Sequence, residues 1–111
     1  MNVYGVKTTR QAEEQMRAIA WYIAVELYNP EAAENLMDDI GEIFLMLEKN
    51  PERHPMVNDE PWRSEEIRWI KVRHYIVYFW IDRENAIVQI IGVVYEGRDQ
   101  KEFLSEMMIS E

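Results

Sequence analysis

Apolar side chains recur along this chain at two different periods, and the changes of period mark its elements. Asn2 to Lys7 alternate, with valine and tyrosine interleaved, which predicts a short strand. From Ala12 the apolar positions are Ala12, Met16, Ile19, Ile23 and Leu27, spaced 4, 3, 4 and 4 apart, one stripe on one helical face. Thr8-x-x-Gln11 has capping-box spacing at the start of that helix. Asn29-Pro30 interrupts the stripe and offers a second helix its cap and first residue, because proline lacks only an N–H that would go unpaired there. The second stripe is Ala33, Leu36, Met37, Ile40, Ile43, Phe44 and Leu47, and it stops at Asn50-Pro51. So short a link requires the two helices to run antiparallel.

Residues Pro51 to Glu66 carry Pro51, Pro55 and Pro61 with no periodic apolar pattern, the mark of a loop. Ile67–Val72 then predicts a strand, with Arg73-His74 as a tight connection. Tyr75–Ile81 and Ala86–Tyr95 are apolar on both faces and predict central strands, joined through a polar turn at 82–85. Alternation assigns Tyr75, Val77, Phe79 and Ile81 to one face and Ile76, Tyr78 and Trp80 to the other. Asp99–Met108 predicts a short helix whose apolar side holds Phe103, Leu104, Met107 and Met108. The whole reads as one α+β domain over residues 1–111: an N-terminal strand, an antiparallel helix hairpin packed on an antiparallel sheet, and a short C-terminal helix. The aromatic face turned away from the hairpin is left as a docking surface, and it would also let free copies pair as a homodimer.

Charge narrows the function. The chain carries 12 basic and 21 acidic residues, net −9, so it lacks the cationic excess that binding a nucleic-acid backbone or an anionic membrane requires. Without cysteine there is no disulfide, thiol nucleophile or thiolate metal site, and His54 and His74 alone do not make a metal centre. No signal peptide or membrane-spanning run is visible, so the cytoplasm is the expected location. Isolated glycines form no phosphate loop, and no cofactor is expected. Residues 29–50 and residues 84–111 each hold six acids, and in the second helix Glu34, Asp38 and Glu42 repeat every four residues. Residues 67–83 are instead locally basic through Arg68, Lys71, Arg73 and Arg83. Arg68 opens one strand and Arg98 follows another, so the two guanidinium groups are expected to converge at one end of the sheet, unless Arg98 pairs with Glu96 or Asp99.

Taken in order, several segments resemble the RelE/ParE family of toxins from type II toxin–antitoxin pairs. They are Thr9-x-x-Ala12, Trp21-Tyr22-Ile23, Asn29-Pro30-Glu31-Ala32-Ala33 and Leu47-Glu48-Lys49-Asn50-Pro51. Ile67-Arg68-x-Ile70-x-Val72-x-x-Tyr75-x-Val77-x-Phe79 and Val93-Val94-Tyr95-Glu96-Gly97-Arg98-Asp99 complete the series. The resemblance implies a cognate antitoxin that wraps and silences the chain, with Trp69, Tyr78 and Trp80 as its contacts. RelE-like members cut mRNA on the ribosome with basic side chains and tyrosine. Lys71, Arg73 and Arg98 are the residues here that could serve, but Trp69 and Ile76 stand where further basic groups would be expected. ParE-like members inhibit DNA gyrase, and the Asn29-Pro30 helix hairpin is similar to theirs. On that reading Arg68, Tyr75 and Arg98 contact the target and the chain does no chemistry. A ribosome-dependent endoribonuclease and a non-toxic antitoxin-binding module of the same fold are the alternatives.

Overall fold

In the computed structural model, which describes residues 3–110, β1 (Gly5–Thr8) leads into α1 (Arg10–Trp21), a π-helical turn at Tyr22–Glu26, and α2 (Pro30–Leu47). After a loop, β2 (Arg68–Val72), β3 (Tyr75–Asp82) and β4 (Ile87–Tyr95) follow, and α3 (Gln100–Ser110) closes the chain. Both hairpin helices are capped by side chains. Thr9 Oγ1 accepts from the Ala12 N–H at 3.0 Å, and Asn29 Oδ1 accepts from the Ala32 N–H at 3.1 Å with Pro30 next in line. Each cap contributes about 1 kcal/mol. The cap of α1 is thus Thr9 rather than Thr8, whose hydroxyl turns to Glu13.

The sheet order is β1-β4-β3-β2. β2, β3 and β4 are antiparallel neighbours, as their hairpin links require, but β1 pairs parallel with β4, Gly5 opposite Ile87. The sheet is therefore mixed rather than wholly antiparallel. The hairpin rule fixes direction only for strands joined by a tight turn, and β1 reaches β4 across the rest of the chain.

Two apolar cores lie on the two sheet faces. Ala12, Leu36, Ile40 and Leu47 pack on Val77, Phe79, Ile81, Val88, Ile90 and Val93. On the other face Tyr78 and Val94 pack with Phe103, Leu104 and Met107 of α3 and with Val57, Trp62 and Ile67 from the preceding loop. The division of β3 is the one alternation assigns. β4 is double-faced for a further reason. Tyr78 pairs with Gly92 but Phe79 pairs with Ile90, so Ile91 is an extra residue, a bulge that reverses the inward set from 88 and 90 to 93.

The first stripe ends in a π-helical turn. The Leu27 N–H bonds to the Tyr22 carbonyl at 3.1 Å, a five-residue step. Ile23 stays half-buried, while Leu27, at the end of the turn, is 54% exposed. Tyr28 then takes a left-handed backbone, φ 54°, to turn the chain into α2.

Candidate functional site

Of the locally basic segment, Lys71 and Arg73 lie at the sheet end formed by the β2–β3 turn and the close of β4, while Arg83, in the β3–β4 turn at the opposite end, lies 3.3 Å from Glu66. At the first of these ends Glu96 sits between two nitrogen-bearing side chains: Lys71 Nζ is 2.8 Å from one carboxylate oxygen and His74 Nδ1 is 2.9 Å from the other. The hydrogen bond from Lys71, then that from His74, holds the Glu96 carboxyl below the usual range. Arg73 donates through Nε to Asp39 on α2. Arg98 places Nη2 at 2.9 and 3.0 Å from the two oxygens of Glu106 and 3.8 Å from Glu102, with its guanidinium over the Phe103 ring at 5.4 Å. Arg98 therefore pairs forward along α3, not with Glu96 or Asp99. Each of Lys71, Arg73 and Arg98, the residues a nuclease would need, already has a carboxylate partner in its own chain.

Tyr75 stands at the same end, edge-on to Tyr95 with ring centroids 5.9 Å apart, and burial first, then the nearby Tyr22 and Tyr95, raises its phenol. Gly97 lies against the Tyr95 ring, where an added Cβ would stand 2.5 Å from Tyr95 Cε2 and the exposed ring would have to move.

Arg68 is elsewhere. Strands β2 and β4 are each antiparallel to β3 and so parallel to one another. The start of β2 thus lies level with Phe79 and Ile90, while the end of β4 lies level with Tyr75 and Val72. Some four residues of strand, about 13 Å or more, separate the two levels. The expected convergence of Arg68 and Arg98 does not occur. Arg68 instead donates through Nη1 to the backbone carbonyls of Glu52 (3.0 Å) and His54 (2.6 Å), pinning the proline loop to the sheet edge. The loop completes that edge with a Met56–Arg68 bridge.

The aromatic face is only partly open. Tyr78 is buried beneath α3, its hydroxyl donating to Gln100 Oε1 at 2.7 Å, and burial pushes its phenol up to about 12. Its ring stacks on Phe103. Trp69 is half-buried against the same cluster. Phe103, Leu104 and Met107 form the apolar side of α3 as expected; the side chain of Met108 lies outside the described residues. Beside α3 the face opens into a groove of about 620 Å³, floored by Trp80, Gln89 and Ile91 and walled by Thr9, Gln11, Glu65, Ile67 and Met107. Of the three aromatic side chains expected to meet an antitoxin, only Trp80, 40% exposed, faces this groove.

Among the described residues no cluster of His, Asp and Glu could hold a metal ion, and no helix is long and apolar enough to cross a membrane. Of the carboxylates that quench the basic end, Glu96 was named in sequence only as a partner for Arg98, and Asp39 and Glu106 were not distinguishable from the chain's other acids. Only the spacing of Arg98 to Glu102, one helical turn, gave a signal.

The fold has solved counterparts. A chromosomal ParDE toxin–antitoxin system from P. aeruginosa includes a chain that aligns at a TM-score of 0.67 and 22% identity, covering 84% of this chain and 96% of that one. A free E. coli RelE toxin mutant aligns at 0.67 and 15%, covering 97% of each. A chain of the RelBE2 toxin–antitoxin complex from Mycobacterium tuberculosis aligns at 0.60 and 18%, covering 84% and 98%. At such identities these likenesses carry the fold alone. No curated protein matched the sequence. The family model for the ParE toxin of the type II toxin–antitoxin system parDE matches residues 6–100. With that match over most of its length and the fold to accompany it, the chain belongs to the ParE toxin family of type II toxin–antitoxin systems.

Proposed function

We propose that this toxin acts by gripping DNA gyrase and performs no chemistry of its own, and that a cognate antitoxin silences it by filling the groove beside α3. The observation that carries the first part is the quenched basic end. Cutting RNA at the ribose 2′-hydroxyl needs groups that take a proton and steady a phosphate. Here Lys71, Arg73 and Arg98 are each committed to a carboxylate, and those carboxylates would repel the phosphate they must admit. The overall charge of −9 acts in the same direction. The groove supports the second part. It is open, floored by an exposed indole, and lined mainly by apolar side chains, a setting in which a helical or extended segment gains apolar contact.

Purified chain added to a gyrase supercoiling reaction should block supercoiling or accumulate cleaved DNA, and a cognate antitoxin should reverse the effect. In parallel, toeprinting on translating ribosomes should show intact mRNA. Unaffected gyrase together with cut mRNA would replace this reading with the ribonuclease one.

A further inference from the structure

The groove beside α3 has opposite charges at its two sides, and the register of the sheet fixes where they stand. Lys7 pairs with Gln89 across β1 and β4, and Gln89 pairs with Trp80 across β4 and β3. Paired residues point to the same face of a sheet, so the exposed Lys7 projects from the face that holds the groove floor, next to Gln89. On the other side of Trp80, Arg68 lies opposite Phe79, which brings Ile67 level with Trp80. The exposed Glu65 forms the groove wall beyond it. One row thus crosses the sheet: a cation, an amide, an indole, an aliphatic side chain and a carboxylate. From Lys7 to Ile67 it spans three strand spacings, about 14 Å.

The fold neutralises the charges around this row but not those at its ends. Glu66, adjacent to Glu65, is paired with Arg83; Glu102 and Glu106 on α3 are paired with Arg98; Asp59 is paired with Lys101. Among the described residues neither Lys7 nor Glu65 has an ion pair or a side-chain hydrogen bond. The half-buried Gln89 amide on the floor between them has no hydrogen-bond partner either. Once the groove is filled, that amide must be met by the occupant.

We infer that the antitoxin segment filling this groove carries a fixed charge order: an acidic side chain meets Lys7, an apolar anchor covers Trp80, a hydrogen-bonding group meets Gln89, and a basic side chain meets Glu65. This rests on the reading of the groove as the antitoxin site and adds which way round its occupant lies. Charge complementarity selects the order. A segment laid in reverse would set like charges together at both ends. A uniformly basic segment, which the chain's net charge of −9 would attract, would be repelled by Lys7. The span sets the spacing: acid and base are about four residues apart in an extended segment, or about nine in a helix.

Calorimetric binding of the purified full chain to the cognate antitoxin at low salt tests this. Lys7→Glu and Glu65→Lys should each weaken binding about five- to tenfold. Glu34→Lys makes the same charge change on α2, across the sheet from the groove, and should stay within about twofold. Charge reversals along the antitoxin segment should recover each variant separately. One acid changed to lysine should restore binding to Lys7→Glu, and one base changed to glutamate should restore binding to Glu65→Lys. Lys7, Glu34 and Glu65 are exposed, and an unchanged circular dichroism spectrum would verify the fold of each variant. Trp80→Ala should weaken binding at least about thirtyfold. If Trp80→Ala weakens binding while Lys7→Glu and Glu65→Lys do not, the groove still holds the antitoxin and this inference is overturned. Equal weakening by Glu34→Lys overturns it too, as does a failure of every antitoxin reversal to recover either variant. Indifference to Trp80→Ala as well would remove the groove reading itself, and this inference with it.

Discussion

Replacing Gly92 with alanine probes directly how α3 is seated on the sheet. Gly92 lies opposite Tyr78 on the face that α3 covers. A Cβ there would stand 2.1 Å from Met107 Sδ and 2.9 Å from both Met107 Cε and Phe103 Cε2. Carbon contacts are comfortable only from about 3.5 Å. Met107 is unbranched and can swing aside. Phe103 has less freedom, because its ring is stacked on Tyr78 and held from outside by Arg98. Overpacking of this kind costs about 1–3 kcal/mol. Against it, exchanging glycine for alanine within a strand gains about 0.5–1 kcal/mol of chain entropy. At mid-range the steric term wins by about 1 kcal/mol, and at most by about 2.5 kcal/mol, for a fall in Tm of about 4 °C and at most about 10 °C at this chain length. Thermal denaturation followed by circular dichroism gives the shift, and hydrogen exchange shows whether α3 amides lose protection first. Combining Gly92→Ala with Met107→Ala should show a coupling of at least about 0.5 kcal/mol, since the truncated side chain no longer blocks the new methyl. An unchanged or raised Tm, with α3 as protected as before, would refute this account of how α3 packs.

Three further outcomes follow from the same contacts. Asn29→Ala removes the α2 cap and should cost about 1 kcal/mol in urea denaturation, with Asn29→Asp close to wild type. Phe79→Ala, at the centre of the helix-side core and fully buried, should cost about 3–5 kcal/mol in urea denaturation. Burial, then the nearby Arg53 and Arg68, depresses the His54 imidazole below its ordinary value of 6.5. Folding therefore favours the neutral ring, and stability that is complete above pH 6.5 should fall progressively as the pH drops below it. His54→Gln should flatten that part of the pH profile, and an equal slope in both proteins would exclude the histidine as its source.

The sequence was most informative where local chemistry decides the outcome. Asn29-Pro30 marks the start of α2 because a cap and a proline act within one turn. The face division of β3 follows from a two-residue period that tolerates no slip. Features set by distant pairing were hidden. Nothing in Gly5–Thr8 states that this strand will lie parallel to β4, and the Ile91 bulge exists only relative to its partner strand. The π-helical turn breaks a stripe that reads as regular through Leu27. The site was legible to a similar degree. The basic residues could be named, but not the acids that meet them, because Asp39 and Glu106 approach only after α2 and α3 have docked. The misplaced convergence of Arg68 and Arg98 came from strand direction: two neighbours of one antiparallel strand are parallel, so their like ends, not their opposite ends, coincide.

Lys71 and Arg73 separate a toxin that grips from one that cuts. The most direct measurement is gyrase inhibition and growth arrest by the variant Lys71→Ala with Arg73→Ala, compared with wild type at equal amounts of soluble protein. Gripping without chemistry leaves both activities within a few-fold of wild type, because these side chains serve only exposed ion pairs. Loss of growth arrest by orders of magnitude, with the fold intact, would contradict the account and place the chemistry at those two residues.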